Sequence, residues 1–456
     1  MKEFRILAPT GVLGAGFTPE SLATGVALSP HVIACDAGST DSGPAALGSG
    51  IPKLSDATVE RDLRLLLRAR AELGVPLIIG SCGTSGRDSG VDHLAELARS
   101  IAEEEQMSFT LALVYSEQST DTLSELWDTG AIHPLDPPVP LDRDKLLSST
   151  VVAMMGSEPI ENALSRGADV VLAGRASDTA LFAALPHMHG ADAGLTWHAA
   201  KTIECGAACA VPPSADGLFV WLRDDHFDVR ALQPGTRLTA QSVAAHTLYE
   251  NIDPFKLKEP GGVLDTSTAT YEQLDDTTVR VRGSKFEAAD IYTNKLEGAR
   301  ARGFQTFAVG GIRDRAVIAR IAQLIPMAQE HFTGKIESMF NSAVSPDDVD
   351  IDFTLYGANG VLGEREPEHT PSRELGILIT VTAHTQEIAH SVCASVAHVV
   401  SHLPIPEYDG LASTVAYPFS PPETDRGPVY EFTINHVAAV AGPLDLFRTK
   451  IVVVGV

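Results

Sequence analysis

The chain of 456 residues carries 34 Lys and Arg against 59 Asp and Glu, a formal net charge of −25, with 44% hydrophobic and 20% charged residues. That composition belongs to a globular protein with a sizeable core and excludes disorder and collagen-like repetition. The excess negative charge, with no basic stripe to offset it, argues against nucleic acid as a partner, and no uncharged apolar run reaches the roughly 18 residues of a membrane span.

In chain order, the start Met1-Lys2-Glu3-Phe4-Arg5 is too charged for a signal peptide, so a cytoplasmic location is expected. Short apolar runs at 5–8, 32–36, 77–81, 110–115 and 170–173 read as strands alternating with helices. Between the second and third, Val59, Leu63, Leu66, Leu67 and Leu73 mark one helix face, which Ser55 or Asp56 can cap. This pattern predicts an α/β fold whose N-terminal part is a mostly parallel wound sheet covered by helices. Residues 133–140 are proline-rich and read as a surface connection, with order returning at 151–155. A helix is expected over 197–209. The stretch 217–283 is mixed, with a helix over 241–251 and a turn at Glu259-Pro260-Gly261-Gly262.

Further on, strand 305–309, helix 314–332, strands 351–356 and 375–382, helix 385–402 and strand 430–435 give the order βαββαβ of an α+β ferredoxin-like domain. The expected organisation is an α/β ligand-binding domain over 1–215, a connecting region over 216–270 and the ferredoxin-like domain over 271–456.

Ligands of wound sheets collect beyond the carboxyl ends of the strands, so the turns there hold the candidate site. Asp36, Ser39 and Asp41 follow the second run, Gly80-Ser81-Cys82-Gly83-Thr84-Ser85-Gly86 follows the third, and Arg175, Ser177 and Asp178 follow the last. Clustered carboxylates can hold a hard divalent cation or divide general acid and base work, which makes Asp36, Asp41 and Asp178 metal candidates and Asp178 a catalytic one. As helix caps, the same residues would be structural. Free amides of the glycine-rich turn, with Ser81, Gly83 and Thr84, can cradle an anion, although the turn lacks a P-loop lysine and no nucleotide-cofactor motif occurs. Cys82 there is either a nucleophile or an inert buried thiol.

Five cysteines, an odd number thinly spread, oppose a disulfide framework, and Cys205 and Cys209 lack a second pair for structural zinc. On the helix beginning at Trp197, Lys201 and Glu204 share one face, as a surface ion pair would, while His198 and Cys205 share another, as a base and thiol would. Arg223-Asp224-Asp225-His226-Phe227 supplies Arg223, Asp225 and His226, and His246 stands one helical turn before Glu250, a spacing that suits proton transfer. His398 and His402 lack the glutamate of a zinc-protease motif and read as solvated.

The strings Asp36-Ala37-Gly38-Ser39-Thr40-Asp41-Ser42-Gly43-Pro44, Ala173-Gly174-Arg175-Ala176-Ser177-Asp178-Thr179, Trp197-His198-Ala199-Ala200-Lys201 and Glu204-Cys205-Gly206 resemble those of the acyclic terpene utilisation (AtuA-like) family. Arg223 to Phe227, Glu259 to Gly262, Tyr356-Gly357-Ala358-Asn359-Gly360-Val361-Leu362-Gly363-Glu364 and Tyr417-Pro418-Phe419-Ser420-Pro421 extend the resemblance over nearly the whole chain. It implies a part in the catabolism of branched, unsaturated acids. Similar sequences carry a small residue where Cys82 stands, which speaks against a nucleophile, and the resemblance transfers no catalytic assignment.

The leading expectation is a hydro-lyase, a hydratase or dehydratase acting on a branched unsaturated or hydroxylated carboxylate or its CoA thioester. Asp178, His198, Asp225, His226 and His246 are its proton-transfer candidates, and Ser39, Ser81, Gly83, Thr84, Arg175, Ser177 and Arg223 its substrate-binding ones. The alternatives are hydrolysis or acyl transfer through Cys82 or Ser81, and a non-catalytic carboxylate-binding subunit that needs a small partner chain. A homo-oligomer is expected, and a divalent metal is an open option.

Overall fold

The computed structural model describes residues 3–367, 372–402 and 414–455, which form two compact units: residues 3–300 with 432–455, and the described residues between 301 and 431. The first unit is built on a ten-stranded mixed sheet. Its centre is parallel: β1 (Glu3–Thr10), β2 (Val32–Asp36), β3 (Leu77–Gly80), β4 (Phe109–Tyr115) and β5 (Val170–Ala173) stand in the order β1-β2-β3-β5-β4. All five expected strands are present. Their near-continuous apolar sequence follows from burial on both faces. Ile6, Ala34, Ile78, Ala112 and Val171 pack on one side with helices α3 (Asp178–Met188) and α4 (Ala193–Ile203). Leu7, Ile33, Leu77, Ile79, Leu111 and Leu172 pack on the other with α1 (Asp56–Leu73) and α2 (Asp88–Glu104).

The sheet is less parallel than its sequence suggests. Strands β6 (Asp216–Arg223), β7 (Phe227–Ala231), β8 (Thr270–Asp275) and β9 (Thr278–Arg282) extend it antiparallel beyond β1, and Arg448–Val454 closes the far edge antiparallel to β4. The stretch read as a connecting region thus supplies sheet strands, because β6 pairs with β1 along its length. The strands Lys256–Glu259, Gly262–Asp265 and Lys285–Ala288 make a separate three-stranded sheet.

Two expected helices are shorter than their periodicity suggests. The first, α4, ends at Ile203, where Gly206 takes a φ of +60°. A Cβ there would stand 2.8 Å from the Gly11 nitrogen, so only glycine lets the chain turn against the end of β1. The second runs only over Ala240–Ala245, followed by a 3₁₀ turn at His246–Leu248, and Glu250 has a φ of +59°. His246 and Glu250 are therefore not one α-helical turn apart. Helix α1 begins after Ser55 as expected, but the serine makes no side-chain cap bond.

In the second unit, the helices Ile321–Thr333 and Gln386–Val400 accompany an antiparallel sheet. The strand Val349–Tyr356 lies beside Leu375–Ala383, which lies beside the part of Thr293–Ile312 from 301 on, with residues 423–431 on the outer side. Its core includes Ile377, Ile379, Val381, Val392, Val396 and Phe332. Among the described residues, no helix of either unit is long and apolar enough to cross a membrane.

Candidate functional site

The turns after β2, β3 and β5 meet at one edge of the parallel strands, and their packing dictates small residues. A Cβ on Gly86 would come within 2.1 Å of the Arg175 backbone nitrogen, and one on Gly38 within 2.2 Å of the Thr84 Cα. Ser81 and Thr84 take φ values of +44° and +76°, strain that the surrounding turns hold in place. The amides of Ser81, Cys82, Ser85 and Gly86 bond carbonyls of Gly174, Ala173, Gly83 and Cys82, so four donors of the glycine-rich turn are spent within the fold.

Arg175 stands at the centre, 5% exposed. Its Nε donates to Glu297 Oε2 at 2.8 Å, and its Nη1 donates to Ser81 Oγ and the Ala176 carbonyl, both at 3.2 Å, and lies 3.6 Å from Asp178 Oδ1. Lys295 reaches the other Glu297 oxygen at 2.7 Å. Burial works against the Glu297 charge, yet Arg175 and Lys295 hold its carboxyl down to about 2. Glu297 lies far along the chain in an unremarked strand, and no sequence motif singles it out.

Asp36 and Asp178 form the reactive-looking pair. Burial, then the charge of Asp178, push Asp36 well above the ordinary carboxylate range, against Arg175 and the Ser81 hydroxyl. Burial also raises Asp178, with Arg175 and Lys201 opposing and Glu250 and Asp41 adding to the rise. Asp36 is 3% exposed, and its Oδ1 has no hydrogen-bond partner among the described residues. Each carboxylate so placed makes ionisation of the other harder.

Both line a cavity of about 620 Å³, with Gly38, Ser39, Asp41, Lys53, Thr84, Glu204, Cys205, Tyr249 and Glu250 among its walls. Ser39 Oγ donates to Asp41 Oδ2 at 2.6 Å. Lys201 and Glu204, which read from the sequence as a surface pair, are a buried ion pair. Burial raises Glu204 well above its ordinary range, with Lys201 opposing and Asp178 and Glu259 adding to the rise. Glu259 accepts from Thr179 Oγ1 at 2.6 Å, and Thr179 in turn meets Ser177 Oγ at 2.9 Å. Burial pushes Glu259 up to about 7.

The remaining sequence candidates, apart from Cys205, fall outside the lining of this cavity. The thiol of Cys82 is wholly buried, donates to the Ile79 carbonyl at 3.7 Å and is pushed up by burial and by Asp36. His198 lies between Ser284 Oγ at 2.6 Å and Tyr271 OH at 3.3 Å, lowered to about 3 by burial, while Cys205 lies past the end of α4 in the cavity wall. His246 stacks on Tyr249 with ring centroids 5.5 Å apart, and burial lowers it to about 4. Arg223, Asp225 and His226 occupy the β6–β7 hairpin, beside the start of β1 and thus at the opposite edge of the sheet. There Arg223 donates to Glu3 and Asp228, and His226 meets Asp225 at 2.6 Å.

A family model described as acyclic terpene utilisation family protein AtuA matches residues 56–211 and 229–425. No curated protein and no solved structure matches the chain.

Proposed function

The chain belongs to the acyclic terpene utilisation family, and from that premise we propose that its first unit is a hydro-lyase acting on a branched unsaturated or hydroxylated acyl group. The observation that carries this reading is the pair of buried Asp36 and half-buried Asp178 in the wall of the cavity, with Arg175 beside them. A carboxyl pair whose environments separate its two protons supplies an acid and a base at once. Asp36, the more deeply buried, is the acid. Asp178, closer to Arg175, is the base.

In the dehydration direction Asp178 takes the proton from carbon 2 of the acyl group. The electron pair left behind forms the double bond to carbon 3, and the hydroxyl group departs with the proton of Asp36 as water. Hydration reverses each step. Arg175, held by Glu297 and Ser81, opposes the burial that favours protonation of Asp178 and so supports its charged form as the base.

The walls favour a thioester over a free carboxylate. Among the described residues, Asp36, Asp41, Asp178, Glu204 and Glu250 line the cavity against a single cationic lining side chain, Lys53, so a second carboxylate would meet repulsion that a neutral thioester does not. Thr179, Ser177 and Glu259 act behind Asp178 as a hydrogen-bonded support. For the second unit, the strand order supports a ferredoxin-like reading. The test is turnover of branched 2-enoyl and 3-hydroxyacyl CoA thioesters followed by double-bond absorbance. Activity in the wild type that is lost in Asp178→Asn supports the proposal, and wild-type kcat in that variant overturns the assignment of the base.

A further inference from the structure

Glu204 and Cys205 follow the end of α4, and Glu250 follows the 3₁₀ turn at His246–Leu248. One ligand atom from each, two carboxylate oxygens and the Cys205 sulfur, lies within 4.8 Å of the others. All three residues line the same cavity as Asp36 and Asp178. A second observation points the same way. Asp36, buried in that wall, has a carboxylate oxygen without a hydrogen-bond partner among the described residues, and the charged side chains of the described lining are acidic apart from Lys53. An acid-rich cavity with an unsatisfied carboxylate oxygen favours a cation.

We propose that Glu204, Cys205 and Glu250 bind one divalent cation of borderline softness, of the Zn²⁺ or Co²⁺ type, in the cavity wall. The donor set selects the metal: hard Mg²⁺ and Ca²⁺ take oxygen ligands, whereas one sulfur with two carboxylates suits a first-row transition ion. Metal–sulfur and metal–oxygen lengths of about 2.3 and 2.1 Å place tetrahedral donors about 3.5 Å apart, so a trio that lies within 4.8 Å reaches that geometry with shifts of at most about an ångström. Glu250, exposed on its turn, is the member with room to move. Glu204 engages Lys201 through Oε1, which leaves Oε2 outside that pair. Three protein ligands leave a further position open, as catalytic rather than structural metal sites do, and a thioester carbonyl oxygen or water is the ligand class that would fill it. The placement differs from the Asp36, Asp41 and Asp178 set that the sequence suggests. Its chemical role rests on the hydro-lyase reading, but its test does not.

The full chain, purified metal-free, is titrated with Co²⁺ alone and followed by absorbance. The expected result is one ion per chain with a near-ultraviolet sulfur-to-cobalt charge-transfer band. Cys205→Ser should abolish that band. Glu250→Gln, a change at an exposed turn that leaves the core intact, should keep the band and weaken binding about tenfold or more, since even outer partners of metal ligands cost that much. No band in the wild type, a band that persists in Cys205→Ser, or unchanged affinity in Glu250→Gln overturns the proposal. Because absorbance reads binding and not turnover, a metal bound without hydro-lyase activity refutes the reaction alone, and activity without the band refutes the metal site alone.

Discussion

Glu297→Gln keeps the shape of the side chain but removes the charge that faces Arg175 and Lys295. Arg175 is 5% exposed and would keep only neutral partners at Ser81 and Ala176, with Asp178 at 3.6 Å. Glu297 is 4% exposed and held down to about 2 from an ordinary 4.5, and at about 1.4 kcal/mol per pKa unit this amounts to about 3 kcal/mol of folding free energy. Breaking a buried ion pair by removing one partner costs about 3–5 kcal/mol, which agrees. The sign follows from the depressed folded-state value. The contribution is fully present above pH 4.5, the unfolded value, and is lost as the pH falls through about 2. Urea unfolding at pH 7 followed by tryptophan fluorescence is the assay, because Trp127, Trp197 and Trp221 all lie in the first unit. Glu297→Gln should lose about 3 kcal/mol or more, and Lys295→Met, at a half-exposed cation, at most about 1 kcal/mol. A loss below about 1 kcal/mol in Glu297→Gln refutes the reasoning.

Three further outcomes follow from the same geometry. Gly86→Ala meets the Arg175 backbone at 2.1 Å and a φ of +70°, so it should destabilise the first unit by more than about 2 kcal/mol, read by the same fluorescence titration. Arg223→Ala should lower stability through the loss of its partners Glu3 and Asp228 while leaving kcat within about twofold, because the β6–β7 hairpin lies at the other edge of the sheet; a kcat loss of about 100-fold would bring that cluster into the reaction. Cys82 should stay unmodified by a thiol-alkylating reagent in the native protein and react after unfolding, as peptide mass mapping would show.

The turns bearing Asp36, Arg175 and Asp178 are legible in the sequence because each follows a short apolar run, and a parallel sheet brings such strand ends to one edge. Lys201 and Glu204 are legible only as an i,i+3 pair, which on most helices faces water. Their burial depends on packing between segments distant in sequence, with Glu204 sharing the cavity wall with Asp36 and Tyr249. Glu297 carries no local signal, since its importance comes from β-strand register alone. Conversely, the charged string at Arg223 invites a catalytic reading, and only the antiparallel pairing of β6 with β1 sets it at the wrong end of the strands. That pairing also explains why the sheet is mixed, since strand type is marked by local pattern while direction is fixed by a partner far along the chain.

The most direct test of the central claim is proton transfer at carbon 2. A branched 2-enoyl CoA thioester incubated with the enzyme in D₂O should give the 3-hydroxyacyl product with one deuterium at carbon 2 per turnover, and Asp36→Asn should slow that incorporation by about 100-fold or more. Hydration without deuterium at carbon 2, or an unchanged rate in Asp36→Asn, would contradict the account.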